Sequence, residues 1–491
     1  MSLTRIPYKY LVAIVFIFGL FMDLMDTTIV NVAIPSLSRD FHASTSLVEW
    51  TITGYLLSLA VFIPAAGFLS DRFGTKRTFL TAMAIFILAS ALCGLAQSIE
   101  QLIAFRFLQG IGGGMMTPVG TAMLSREFPG TERARASAII SVPVVLAPTV
   151  GPVLGGYLIE YVSWRWIFYV NLPVGIAGLL FGLRVLEEHR EAYAARGFDV
   201  PGLLTGSGGA AMILYGVSRA GEEGWGSREV VGFGLGGLAL AAAFVVIELT
   251  TRYPILDLRL FKRWLFASGN LMMMPAFAGF GGFVLILTLF LQTLQGYSPL
   301  EAGLIQAPSS IGTAISLPLA GRIYPIVGPR KMMIFGFGFA ALTILPFAFV
   351  EIDTPVWVII FLLLLRGLPF AFAVVASQTL IYGPIESEKQ GSASSIYNTL
   401  RQVAASFGVA LIITIALNRT RAHEISATAS QHLSAPTAAI SQHAAVIGYH
   451  DAYLAVFALM LVPFVISFFI NDEKAAESLR SRMVVHAVAE P

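Results

Sequence analysis

Apolar runs long enough to cross a bilayer recur along almost the whole of this chain, and they leave few folds open to it. A helix needs about 20 mostly apolar residues to span the hydrocarbon core. Fourteen such runs lie near 10–34, 50–70, 77–97, 102–124, 136–160, 166–186, 200–218, 230–250, 265–294, 300–325, 331–351, 355–382, 391–418 and 449–471. The joints between them are short and polar, the longest near 419–448. Inside hydrocarbon a backbone must satisfy its own hydrogen bonds. The runs therefore predict an all-α polytopic membrane protein. Composition agrees: 12% of the 491 residues are charged, about half the share in a soluble domain.

An even number of spans puts both termini on one side. With the N-terminus inside, the cytoplasmic segments hold 22 of the 31 Lys and Arg residues and the outer segments hold six. Arg106, Arg366 and Arg401 fall within spans. That bias predicts both termini in the cytoplasm. Trp50, Trp164, Trp166, Trp225, Trp264 and Trp357 fall at or near span ends, where amphipathic rings favour the interface.

Several chemistries are excluded at this level. A net charge of +2 argues against a nucleic-acid partner. The one cysteine, Cys93, rules out an internal disulfide and a Cys-based metal cluster. The seven histidines show no i, i+4 pair of the helical zinc type. GIGGGMM (110–116) has the glycines of a phosphate loop, yet it follows no strand and lacks the Lys-Ser/Thr of a P-loop. No metal or cofactor is expected. No cleavable signal peptide is expected either, because the apolar run from Tyr10 is too long for one.

Two stretches overlay without a gap: GFLSDRFGTKR (67–77) and GRIYPIVGPRK (321–331). Each closes one span, turns through a glycine and opens the next span after basic residues. Each is the second-to-third helix junction of a six-helix unit. Helices 1–6 form the first unit, helices 9–14 the second, and helices 7 and 8 are an inserted pair. The expected boundaries are 1–190, 191–255, 256–475 and a cytoplasmic tail over 476–491. Repeat-built transporters place their substrate site near the midplane between halves. Helices 7 and 8 carry their polar residues at their ends, so they are expected outside the central cavity, with Gly208 and Gly209 letting helix 7 pack on a bundle.

The first span, near its middle, carries Asp23 and Asp26. Ionisable groups at that depth are unfavourable, and they mark ion or substrate pathways. Three residues apart, the two acids share a helix face, and Thr27 and Asn31 continue the stripe. Such a pair could hold a proton, release it on one side and attract a cation meanwhile. Arg106, a few residues into helix 4 with Gln109 one turn on, is expected to be buried and to hydrogen-bond helix 1. At the cytoplasmic mouth Asp71, Arg72 and Arg77 lie between and beside Gly67 and Gly74, the glycines of a tight turn.

Beyond these physical readings, the motifs resemble a known family. GFLSDRFGTKR is similar to the signature between helices 2 and 3 of the major facilitator superfamily. LIAFRFLQGIGGG (102–114) resembles the fourth-helix motif of its proton-driven antiporters, and APTVGPVLGG (147–156) their fifth-helix antiporter motif. LMDTTIVNVAIP (24–35), WRWIFYVNLPVG (164–175), DLRLF (257–261) and NTLRQVAASFGVAL (398–411) resemble the fourteen-helix branch of EmrB/QacA drug:proton antiporters. Asp26 fits that pattern; Asp23 is an additional acid. The resemblance implies a fold of two six-helix bundles plus two helices, and proton-coupled efflux of small amphipathic, often cationic compounds from a bacterial inner membrane. With Asp23 and the polar stripe of the first span added from the residues themselves, the expected proton and substrate site is Asp23, Asp26, Asn31, Arg106, Asn398 and Arg401. Pro148, Gly151, Pro152, Gly155 and Gly156 would seal one side. The Asp71 gate would dock on the penultimate helix near Gly391, with Ser392 and Ser394 as caps. Protons and lipid are then the obligatory partners. Some members of the branch work with a periplasmic adaptor protein, and that partner stays open here. So does export of one dedicated metabolite, such as a siderophore, antibiotic or peptide. A non-transporting receptor, which would need a soluble ligand or signalling domain, or a channel, which usually needs a ring of subunits, is the less favoured alternative.

Overall fold

The computed structural model describes residues 7–128, 133–189, 197–386, 389–431 and 435–470. The tail expected over 476–491 lies outside them. Among the described residues there is no strand, and fourteen helices have fifteen residues or more. They are α1 (Tyr8–Ile29), α2 (Trp50–Phe73), α3 (Thr75–Leu95), α4 (Ile99–Glu127), α5 (Arg133–Tyr161), α6 (Asn171–Val185) and α7 (Val200–Glu223). There follow α8 (Arg228–Thr250), α9 (Trp264–Leu289), α10 (Pro299–Val327), α11 (Pro329–Ile344), α12 (Val356–Tyr382), α13 (Gln390–Ser430) and α14 (Ala438–Ser467). A 3₁₀ turn, Val30–Ala33, carries α1 on into a short helix, Ile34–Phe41.

Eleven of these segments, with their flanking turns, are long and apolar enough to cross a membrane. Beyond them stand α4, α5 and α10, of 29 residues each. Helix ends follow local chemistry. Ser98 accepts from the Gln101 N–H at 3.3 Å to cap α4, and Thr437 accepts from the Ile440 N–H at 3.3 Å to cap α14. The α13 start differs from expectation: its N-cap is Lys389, without a side-chain cap, and Ser392 and Ser394 lie inside the first turns.

The chain divides into two compact units. One takes in residues up to Tyr215 with Gly232–Ile255 and Leu291–Ala307; the other takes in Gly216–Val231, Leu256–Phe290 and the chain from Pro308. In the first unit, α7 and α8 pack on each other. A Cβ on Gly209 would stand 3.0 Å from the Ala241 N and 3.1 Å from the Gly237 O. The close approach allowed by Gly209 is thus to α8, not to a bundle: two facing glycines let the pair meet backbone to backbone. The outward side of α8 leaves Leu235, Leu238 and Val246 exposed, which suits contact with lipid rather than water. In the second unit, Thr414 donates to the Val217 O at 2.9 Å and Asn418 to the Ala220 O at 2.9 Å.

The repeat read from sequence has a backbone counterpart. Gly74, between α2 and α3, has φ 97° and ψ 150°; Gly328, seven residues into the second stretch, has φ 82° and ψ 164°. Both junctions turn through a conformation that a side chain would strain.

Candidate proton and substrate site

The glycine run of α4 is what lets the site form. A Cβ on Gly110 would stand 2.7 Å from the Tyr55 O of α2, on Gly112 2.6 Å from the Ala82 O of α3, and on Gly114 2.8 Å from the Leu59 O of α2. The run that looks like a phosphate loop therefore serves helix contact at backbone distance. Ser58 ties α2 to α4 through a 2.7 Å bond to the Phe107 O. The polar side chains of α4 are in this way carried against α1, α2 and α3.

Asp26 lies at the centre, 0% exposed. Arg106 Nη1 donates to its Oδ2. Gln109 Nε2 donates to its Oδ1 at 2.9 Å and Asn171 Nδ2 to the same oxygen at 3.0 Å. Arg106, 1% exposed, also donates from Nε to the Thr51 O at 2.7 Å and from Nη1 to Gln109 Oε1 at 2.8 Å. Its guanidinium lies 4.1 Å from the ring centre of Tyr55. Ser90 accepts from Gln109 and Asn171 at 3.2 and 3.1 Å and donates to the Phe168 O at 2.8 Å. Side chains of α4 and α6 thus bind one carboxylate of α1, and α2 and α3 supply further partners to those side chains. A buried ion pair is tolerated when its remaining donors and acceptors are satisfied in this manner.

Asp23 takes other partners. Tyr55 Oη donates to its Oδ1 at 2.7 Å and Thr117 Oγ1 to its Oδ2 at 3.1 Å. The two acids are three residues apart, and each is held by its own donors. Arg106 makes its direct contact with Asp26.

The rest of the stripe points elsewhere. Thr27 donates to the Asp23 carbonyl at 2.8 Å, and Asn31 to the Thr27 and Thr28 carbonyls, both at 3.2 Å. Asn31 is buried, but its amide is used on its own helix where α1 tightens into the 3₁₀ turn. In the second unit Asn398 donates to the Ser394 carbonyl at 2.9 Å, and Arg401 lies 5.9 Å from the ring centre of Phe277. Sequence reasoning passed over Tyr55, Ser90 and Thr117. It quoted Asn171 within a motif without giving it a role.

At the α2–α3 junction Asp71 lines a cavity of about 150 Å³ with Ser70, Arg126, Glu127 and His189. The turn itself rests on Gly74 alone. Gly67 lies within α2 with open space around it, so the expected two-glycine turn is corrected to one. Glu188 accepts the Lys76 and Arg77 N–H groups at 3.1 and 3.2 Å, capping α3, and Arg77 Nε lies 3.6 Å from the same carboxylate. A Cβ on Gly74 would stand 2.1 Å from Glu188 Oε1. Arg72 is exposed and lies 6.0 Å from the ring centre of Phe68.

Along α5, a Cβ on Gly151 would meet Thr28 Oγ1 at 2.2 Å, one on Gly155 would meet Ile29 Cγ1 at 2.6 Å, and one on Gly156 would meet the Pro299 O at 2.4 Å. Pro152 presents its carbonyl 2.3 Å from where a Gly303 Cβ would lie. Pro148 is in the same helix, with its side chain outside the described set. These small residues seat α5 on the Asp26 helix and on the start of α10.

Comparison with known proteins agrees with this architecture. The model of the Major Facilitator Superfamily matches residues 16–409. A multidrug resistance protein B homolog of Mycobacterium tuberculosis is 36% identical over 426 residues, covering 86% of this chain and 79% of that protein. The tetracenomycin C resistance and export protein of Streptomyces glaucescens is 32% identical over 414 residues, covering 84% and 76%. The crystal structure of a D-xylose-proton symporter is similar with a TM-score of 0.66 over 96% of this chain and 99% of that one, at 14% identity. That last likeness is one of fold.

Proposed function

As a chain that belongs to the Major Facilitator Superfamily, this multi-pass membrane protein has multidrug-resistance and export proteins among its relatives, and we propose that it is a proton-coupled efflux antiporter. Its substrates on this reading are amphipathic, often cationic compounds, moved outward by alternating access through fourteen spans, with both termini in the cytoplasm. The proton is the coupling ion, and no cofactor or covalent step is invoked. The observation that carries the reading is the Asp26 carboxylate, fully buried and held by Arg106, Gln109 and Asn171.

The chemistry follows from that arrangement. A proton arriving on Asp26 Oδ2 cancels the charge that binds Arg106. The arginine keeps the Thr51 carbonyl, Gln109 Oε1 and the Tyr55 face, so it is released from α1 without being stranded. Tyr55 links the two acids: its ring faces Arg106 while its hydroxyl donates to Asp23. A change at Asp26 therefore reaches the carboxylate that would meet a cationic substrate. Ligand-linked motion of this kind requires each ligand to favour one state. Here the proton and the cation would favour opposite states.

Substrate-driven proton movement in proteoliposomes tests the assignment. Asp26→Asn is expected to abolish proton exchange, and Asp23→Asn to keep it while changing which cations are carried. Exchange of protons for a cationic dye by Asp26→Asn at the wild-type rate would refute the coupling role. Export of one dedicated metabolite is the second reading, prompted by the Streptomyces relative that carries tetracenomycin C in its name. A panel of cationic dyes and tetracenomycin C in the same vesicles separates the two.

A further inference from the structure

Arg366 on α12 is an intramembrane charge that this scheme does not use. It is 6% exposed. Its guanidinium lies 3.9 Å from the ring centre of Phe283 and 5.1 Å from that of Phe280, and Nη1 donates to Ser309 Oγ at 3.4 Å. Among the described residues no carboxylate stands within ion-pair distance of it, in contrast to Arg106 on Asp26.

The contrast follows the order of the helices. Arg106 is on α4, the fourth of the first six long helices, and its acid is on α1, the first. Arg366 is on α12, the fourth of the last six, and its two phenylalanines are on α9, the first of them. Asp23 and Asp26 are three residues apart, as are Phe280 and Phe283. The second set keeps the arginine and has aromatic faces in place of acids. An arginine stays charged. Ring faces stabilise a buried guanidinium only in part, and a buried cation without a counter-charge is unfavourable.

Room for a counter-charge lies beside it. A cavity of about 10 Å³ has Ser309, Thr313 and Arg366 on its wall among apolar neighbours that include Phe280, Phe370 and Met460, space for one atom-sized group on the order of a single water. The Thr313 hydroxyl is already used, donating to the Ser309 and Gly367 carbonyls at 3.1 Å each. Ser309 Oγ accepts from Arg366, which leaves its own O–H to donate. A Cβ on Gly367 would stand 2.0 Å from the Ser309 O, so α10 and α12 cross in backbone contact and hold arginine and serine at fixed separation. We propose that Arg366 and Ser309 form a subsite for a monovalent anion, either a halide ion or a carboxylate oxygen of a carried amphiphile. Such a site shares no residue with the Asp26 network and does not depend on the antiporter reading.

The full-length protein in nanodiscs provides the test. Thermal unfolding is followed while sodium chloride, or separately sodium acetate, replaces sodium isethionate at constant ionic strength. At least one of the two anions is expected to raise the midpoint saturably. Loss of one hydrogen bond to a charged group in Ser309→Ala is expected to raise the half-saturating concentration about tenfold, and Arg366→Met to remove the effect. Stabilisation by chloride alone assigns the site to a halide, and stabilisation by acetate alone to a carboxylate. No saturable rise with either anion, or a Ser309→Ala curve that overlays the wild type, overturns the proposal. Because Ser309→Ala keeps the charge and the packing, that arm stands even if Arg366→Met does not fold.

Discussion

Arg106 and Asp26 should be coupled strongly enough to measure in the folded protein. Arg106→Met leaves the Asp26 carboxylate with only Gln109 and Asn171 at 2.9 and 3.0 Å. Breaking a buried pair from one side costs about 3–5 kcal/mol. Asp26→Asn breaks it from the other side and puts an amide N–H₂ where Oδ2 accepts from the guanidinium, donor against donor, for a similar loss. The double variant removes both charges. Its asparagine still accepts from Gln109 and Asn171 through Oδ1, and apolar replacement of a whole buried pair is often close to neutral. The singles therefore sum to about 6–10 kcal/mol, while the double should lose no more than about 1–3 kcal/mol. The coupling is then at least about 3 kcal/mol, more than a hundredfold in the folding equilibrium. Reversible unfolding of the purified protein in dodecyl maltoside–SDS mixtures, read by tryptophan fluorescence, measures all four corners. Total stabilities are about 5–15 kcal/mol. If a single variant falls below what accumulates in membranes, the same coupling appears as greater abundance of the double. Additivity within about 0.5 kcal/mol would refute the buried ion pair.

The two glycines of the α2–α3 stretch should behave oppositely. Gly67→Ala, in open space within a helix, is expected to be neutral or to stabilise by about 0.5–1 kcal/mol; Gly74→Ala, at φ 97° and against Glu188, should destabilise, and equal midpoints in unfolding titrations would contradict this. Outside the spans, the hydrogen bond from Arg263 at 2.6 Å, aided by the Lys389 charge, holds the Glu386 carboxyl below its usual range. A lowered value means that the ion pair is present above the unfolded range near about 4.3 and is lost as pH falls through the folded value. Arg263→Gln should raise the Glu386 midpoint in a carbon-13 NMR titration, and an unmoved midpoint would exclude Arg263 as the cause.

Charge inside apolar runs made part of the site legible from sequence. Asp26 and Arg106 stand out because an ionisable residue at that depth is rare, and the structure joins them directly. Tyr55, Ser90 and Thr117 were not legible: hydroxyls are common in membrane helices, and only the crossing of α2, α3 and α4 on α1 shows which ones meet a carboxylate. Asn31 is legible by its periodicity, but an asparagine can spend its donors on its own helix, and within the 3₁₀ turn its amide does. The glycines divide in the same way. Gly74 was readable from its place in a repeat, while the openness around Gly67 depends on what packs there. Arg366 was visible as a charge in a span, but its phenylalanine partners needed the fold.

The distance along the chain between Asp26 and its partners bears on how the protein is made. Asp26 leaves the ribosome 80 residues before Arg106 and 145 residues before Asn171. At about 5–20 residues per second, the arginine follows roughly 4–16 s later. Throughout that interval α1 carries an acid whose counter-ion has not yet been synthesised, and a lone acid is poorly soluble in hydrocarbon. Arg106 can satisfy Asp26 only once α4 has been made and packed on α1, so the first helix reaches its final stability in the bilayer through partners synthesised after it.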